Sequence, residues 1–291
     1  MQKIKLWFNI CRPRTLFASA CPVLMGLAAT SPIPRYGVAV VTLLCAMALQ
    51  VLSNLINDYY DFKRGSDKAG RVGPSRALAE GTIEEKQMRW ACWIAAGASV
   101  ILGLWLVDIG GWAILTIGVL ALLFAWLYTA TRHSLSYLGI ADIFCFLFYG
   151  PIAAAGTAYL QTGAVSWTAV RLGCVCGCIA VCTLATNNIR DVEDDRAVGK
   201  RTFPVRFGVN AARVGVAVML ACALPLAYSV LREGIFCWLL LAPFAYSILL
   251  YVRLIQAQGG QYNRCLFGFG LLNACYCVVV WAAVLLGGRM I

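Results

Sequence analysis

The chain has 291 residues, of which 61% are hydrophobic and only 13% charged, with a formal net charge of +11. Ordinary soluble domains carry about 25% charged residues, so this composition, with a mean hydropathy of +0.77, excludes a water-soluble enzyme and points to a polytopic membrane protein. The positive balance does not require nucleic acid, because membrane topology, lipid headgroups and an anionic substrate all use Lys and Arg.

Apolar runs long enough to span a bilayer fall near residues 15–31, 37–57, 90–107, 110–128, 138–158, 168–187, 211–231, 235–252 and 267–288, about nine in all. Before the first run, Lys3, Lys5, Trp7 and Phe8 form an interfacial anchor. Basic residues before an apolar run resemble a secretory signal, but Arg12-Pro13-Arg14, Pro22 and the spans that follow argue for an uncleaved first helix. The second run leads into Asn54, Asn57, Asp58 and Asp61, spaced i, i+3, i+4, i+7 on one helical face. A basic, glycine-rich loop follows, with Lys63, Arg64, Lys68, Arg71 and Arg76, and Thr82 to Glu85 has the form of a capping box. His133 stands in a short polar turn and is expected to be solvated.

The fifth run contains Asp142, a carboxylate inside a span and therefore a functional candidate, with a salt bridge to Arg132 as the structural alternative. Cys174, Cys176, Cys178 and Cys182 in the sixth run are expected to pack as small apolar residues. That run ends in Asn187, Asp191 and Asp195, spaced i, i+4, i+8, before a loop with Lys200. The acidic clusters lie about 130 residues apart, at the same ends of the second and sixth runs. This spacing predicts two four-helix units in the same orientation plus a ninth helix, together one membrane domain over residues 1–291. With the N-terminus in the cytoplasm, 20 of the 24 Lys and Arg residues fall on the cytoplasmic side, together with both clusters.

Amide and carboxylate oxygens on facing helix ends suit Mg²⁺, which shares its shell with substrate phosphates. Interleaved Arg and Lys suit the remaining phosphate oxygens. A diphosphate at the mouth of an apolar bundle should carry a lipid tail, and an allylic one ionises when its leaving group is neutralised. Tyr59, Tyr60, Tyr128 and Tyr149 lie near the same end, where aromatic faces could steady a carbocation.

The order of these motifs resembles the UbiA superfamily of intramembrane prenyltransferases, all-α bundles of about nine transmembrane helices with two Asp-rich motifs. The resemblance rests on Arg12-Pro13-Arg14-Thr15-Leu16, Asn57-Asp58-Tyr-Tyr-Asp61, Gly65-Ser-Asp67, Gly73-Pro74-Ser-Arg76 and Tyr137-Leu-Gly-Ile-Ala-Asp142. It continues through Asn187-Asn188-Ile-Arg190-Asp191 to Gly199-Lys200-Arg-Thr202. Within the superfamily the set is most similar to the 1,4-dihydroxy-2-naphthoate polyprenyltransferases of menaquinone synthesis. The resemblance implies Asn57, Asp58, Asp61, Asp67, Asn187, Asp191 and Asp195 around Mg²⁺. It implies Arg14, Asn54, Lys63, Arg76, Arg132, Asn188, Arg190 and Lys200 as substrate contacts, and Asp61, Asp191, Asp142 and Tyr128 as catalytic. The partners implied are a polyprenyl diphosphate, an aromatic acceptor and membrane lipids. Asp194 beside Asp195 departs from the pattern and leaves open which of the two reaches the metal. The alternative within the superfamily is 4-hydroxybenzoate prenylation. A transporter would place its ion sites near the bilayer midplane, and a non-catalytic lipid-binding protein would not need two acidic stripes.

Overall fold

The computed structural model describes residues 2–30, 35–65, 76–128, 135, 139–231 and 236–287, which are helical with no strand among them. The helices are α1 (Gln2–Ile10), α2 (Leu16–Ala28), α3 (Tyr36–Lys63), α4 (Glu85–Leu127), α5 (Ala141–Phe148), α6 (Pro151–Thr162) and α7 (Trp167–Arg190). There follow α8 (Val192–Ala197), α9 (Phe203–Phe207), α10 (Val209–Tyr228), α11 (Phe236–Leu239), α12 (Leu241–Gln256) and α13 (Tyr262–Leu285). Seven helical stretches among the described residues are long and apolar enough to cross a membrane.

The 43 residues of α4 would extend about 64 Å if straight, twice the ~30 Å hydrocarbon thickness. Gly111, at φ 61° and ψ −149°, breaks it instead. Glu85 at its start meets Tyr59, and Trp126 near its end lies 6.4 Å from Tyr60, so both arms return to the same end of the bundle. The helix is thus two crossings, as the runs at 90–107 and 110–128 predict. With α2, which is only 13 residues long and contains Pro22, the count comes to about nine.

Three local details differ from the sequence expectation. The first turn of α4 is capped at Glu84, whose N–H donates to Gln87 Oε1 at 3.0 Å, while the Thr82 hydroxyl donates to the Ala77 carbonyl. The fifth run is two helices, α5 and α6, broken at Gly150 before Pro151, and α5 begins only at Ala141. Asp142 therefore sits in the first turn of this crossing, at its edge and not well inside it. The second acidic stripe is also not one helix, because α7 ends at Arg190 and Asp191 leaves helical geometry before α8.

Between helices in lipid, close packing replaces the hydrophobic drive that operates in water. The centre of the bundle follows that rule. A Cβ on Gly150 would come within 2.8 Å of Gly177 Cα and 2.9 Å of the Gly173 carbonyl, so glycines let the α5–α6 break lie directly on α7. The main core joins α2, α7, α10, α12 and α13 through Met25, Leu172, Ile179, Phe269 and Leu272, with Cys176, Cys178 and Cys182 filling gaps among them. Helix α3 joins it through smaller clusters, Ala39 against Val23 and Leu27 of α2 and Cys45 with Leu106 of α4, and together these hold the carboxylate-bearing ends of α3 and α7 at one end of the bundle.

Candidate active site

At the end of α3, Asn54, Asp58 and Asp61 are buried, with 6%, 5% and 4% exposure, and Asn57 is half-buried. Buried carboxylates need partners, and each has them. Asp58 Oδ1 pairs with both Arg12 and Arg76. Asp61 lies 3.9 Å from Arg76 Nη2 and 3.3 Å from Lys200 Nζ. Lys200 also reaches Asp195 Oδ1 at 3.6 Å and so ties the two acidic clusters together. Arg190 donates from Nε and Nη2 to both oxygens of Asp191, from Nη2 to Asn187 Oδ1 and from Nη1 to Asn263 Oδ1, all at 2.7 Å. Four buried carboxylates are thus balanced by four cations.

The break at Asp191 gives Asp194 and Asp195 different surroundings. The single turn of α8 buries Asp195, whose N–H donates to the Asp191 carbonyl at 2.8 Å and whose Oδ2 accepts from Thr202 at 3.5 Å, while Asp194 is exposed. Arg12 is the one non-glycine residue at positive φ among the described residues, at 51°. That left-handed geometry costs about 1–2 kcal/mol for an L-residue. It turns the chain out of α1 into the Pro13–Thr15 turn and carries the guanidinium to Asp58.

A cavity of about 970 Å³ opens from this end into the bundle. Arg12, Arg14, Asn54, Asn57, Asp58, Arg76, Asn187, Arg190, Tyr128 and Tyr149 line it. Deeper, the lining from α3, α4 and α6 is mostly apolar, with Leu49, Val107, Ile114, Leu122 and Leu160 beside Thr42, Ser53, Ser99 and Thr157. The facing wall from α2, α7 and α13 interleaves Ser19, Thr183 and Asn273 with apolar residues.

Asp61, Asp191, Asp195 and Lys200 lie just behind the cavity mouth, joined by the ion pairs above. Arg14 lines the cavity, with its guanidinium 5.5 Å from the Phe267 ring centroid. Lys63 is not brought to the site: it is half-exposed, pairs with Glu85 at 3.0 Å and lies over the Tyr59 ring. Asn188 is buried on α7 away from the cavity, and Asp142 is half-buried off its wall, one turn before cavity-lining Cys145. Asp67 and Arg132, and with Arg132 the proposed pair to Asp142, lie outside the described residues, as does His133. Sequence reasoning assigned no role to Arg12, Gln50, Asn263 or Asn273. Gln50 could have been found, since it continues the Asn54–Asp58 stripe by one turn; Asn263 and Asn273 carry no local signal.

The donor set suits Mg²⁺: carboxylate and amide oxygens with no sulfur or imidazole among them. No three carboxylates among the described residues stand close enough to form a ready-made metal cage. Mg²⁺ is usually held by one or two carboxylates plus substrate phosphates, so a split set of this kind fits an ion that arrives with a diphosphate.

A family model described as the UbiA prenyltransferase family matches residues 19–287. The chain is 34% identical over 232 residues to the 1,4-dihydroxy-2-naphthoate octaprenyltransferase of Haemophilus influenzae, covering 76% of this chain and 75% of the relative. It is 33% identical over 238 residues to the protein of the same name from Escherichia coli, covering 78% and 77%. The fold is similar to that of a UbiA homolog from Archaeoglobus fulgidus solved bound to GPP and Mg²⁺, with a TM-score of 0.68, 18% identity, and coverage of 96% of this chain and 99% of that one.

Proposed function

The chain belongs to the UbiA prenyltransferase family, and we propose that it transfers a polyprenyl group from an allylic polyprenyl diphosphate to 1,4-dihydroxy-2-naphthoate, releasing CO₂ and diphosphate. One observation carries this reading. Asp58, Asp61, Asp191 and Asp195, each already paired with a cation, converge at the head of a largely apolar cavity. The names of the relatives supply the acceptor.

Asn57, Asp61, Asn187, Asp191 and Asp195 are the oxygens that would hold Mg²⁺, with Asp58 beside them. The ion, when bound, neutralises diphosphate charge. Arg12, Arg76, Arg190 and Lys200 trade their carboxylates for phosphate oxygens, and Arg14 adds a further cation at the mouth. Charge-assisted donors of this kind stabilise the leaving group as the allylic C–O bond breaks. Tyr128 and Tyr149 present aromatic faces on the cavity wall where the carbocation forms. The ring carbon bearing the carboxylate attacks C1, giving a β-keto acid as the adjacent hydroxyl loses its proton. Loss of CO₂ returns the electron pair to the ring, and the hydroxyl regains a proton. Asp142, one turn before cavity-lining Cys145, assists the acceptor chemistry in this reading.

The chain is a single multi-pass membrane domain. The bias of 20 among 24 basic residues supports a cell membrane location with the N-terminus and the site in the cytoplasm. The deciding assay uses purified protein, Mg²⁺, a polyprenyl diphosphate and carboxyl-labelled naphthoate. Labelled CO₂ should appear in step with prenylated product. A 4-hydroxybenzoate enzyme attacks beside its hydroxyl and releases no CO₂, so prenylation of that acid at an equal or higher rate would overturn the acceptor assignment.

A further inference from the structure

One buried amide fastens both ends of the turn that carries Arg12. Asn54 on α3 is 6% exposed, and its Nδ2 donates to the Cys11 carbonyl at 3.3 Å and to Thr15 Oγ1 at 2.9 Å. A carbonyl can only accept, and the Thr15 hydroxyl spends its own hydrogen on the Arg12 carbonyl at 2.9 Å, so both contacts fix the nitrogen end of the amide. The oxygen end accepts from Gln50 Nε2 at 3.2 Å. Asn54 lines the cavity, yet it has no hydrogen left to donate to a phosphate oxygen. The substrate contact that the resemblance implies for it is therefore not what this geometry offers.

Arg12 needs such a fastening. It stands at φ 51° and ψ 65°, a region that L-residues avoid, and Pro13 after it favours extended backbone instead. A conformation of this kind persists only where its surroundings over-determine it. The ion pair with Asp58 is one hold on Arg12. In the proposed exchange that hold is given up, because the guanidinium leaves the carboxylate for the diphosphate. The grip of Asn54 on Cys11 and Thr15 does not depend on the ion pair. Asn54 lies one turn before Asp58 on the same face of α3, so the fastening and the carboxylate share one rigid helix. Arg14 belongs to the same Pro13–Thr15 turn and is carried by it.

We propose that Asn54 and Thr15 are positioning residues that keep the Arg12 turn in its left-handed form, so that the guanidinium pivots from Asp58 to the diphosphate while the backbone stays in place. The inference rests on the diphosphate site of the reading above and deepens it. Asn54 acts through Arg12 and does not itself touch the substrate.

The test measures prenyl diphosphate binding to the purified protein with Mg²⁺, for Thr15→Val, Thr15→Ser and Asn54→Leu, alone and combined with Arg12→Met. Thr15→Val keeps the side-chain shape and loses the hydroxyl. The turn then holds its binding form in only a fraction of molecules, and affinity falls by that fraction, about tenfold for about one hydrogen bond. Thr15→Ser restores the hydroxyl and should return affinity to within about twofold of wild type. Asn54→Leu should match Thr15→Val. In the Arg12→Met background Asp58 keeps Arg76 as a partner, and each of these two changes should cost less than about threefold, because the residue they position is gone. Where Asn54→Leu does not fold, the Thr15 series carries the same comparison. A full tenfold loss in both backgrounds would show action independent of Arg12 and overturn the inference, as would wild-type affinity in Thr15→Val. Failure of the wild type to bind prenyl diphosphate with Mg²⁺ would overturn the diphosphate reading itself.

Discussion

Lys200 Nζ stands 3.3 Å from Asp61 Oδ1, joining residues 139 positions apart and closing the two acidic clusters into one site. Asp61 is held from the other side by Arg76, and Lys200 extends to Asp195. In the proposed exchange, the cations that meet the diphosphate are stored beforehand on the carboxylates that meet the metal.

Removing either partner strands a buried charge, at a cost of about 3–5 kcal/mol. Lys200→Met and Asp61→Asn should each lower the thermal stability of the ligand-free protein. The double variant should recover part of the loss, with a coupling above about 0.5 kcal/mol. Strictly additive losses in detergent melts would show that the contact does not couple the clusters.

Asp61→Ala, Asp191→Ala and Asp195→Ala should each abolish transfer in protein that remains monodisperse. Asp194→Ala should stay within about twofold of wild type, as exposed positions away from a site usually do. Loss of activity on changing Asp194, with Asp195→Ala active, would reverse the assignment drawn from their burial.

Mg²⁺ alone should bind weakly, because Arg190 and Lys200 already occupy the carboxylate oxygens. With prenyl diphosphate present its affinity should rise at least about tenfold, and by linkage the diphosphate should gain the same factor from Mg²⁺. Calorimetry in both orders checks this, and chelation should abolish diphosphate retention. Equal Mg²⁺ affinity with and without diphosphate would contradict the exchange.

Asp194 is exposed beside the site, so Asp194→Cys in a background without accessible thiols reports its side of the membrane. Impermeant maleimide should label it only from the cytoplasmic face. Labelling of intact cells from outside would invert the topology.

Asp142→Asn should lower turnover several-fold and leave prenyl diphosphate affinity unchanged, as expected for a residue acting on the acceptor side. Normal turnover per folded enzyme with a lower melting temperature would assign Asp142 a structural role.

Composition and the length of the apolar runs determined the all-helical, multi-pass class, because a bilayer demands about 20 apolar residues per helical crossing whatever the packing. The periodic stripe from Asn54 to Asp61 likewise determined its own face, since helical spacing is local. Tertiary packing decided which cations serve those carboxylates. Lys63 and Lys200 are alike in sequence terms, yet Lys63 turns out to Glu85 and Lys200 turns in to Asp61. The break at Asp191 and the burial of Asp195 over Asp194 depend on how α8 folds back against Lys200 and Thr202. Asn273 was beyond reach for the same reason. An isolated polar residue in an apolar run reaches a cavity only when helices distant in sequence build one around it, and no local pattern encodes that meeting.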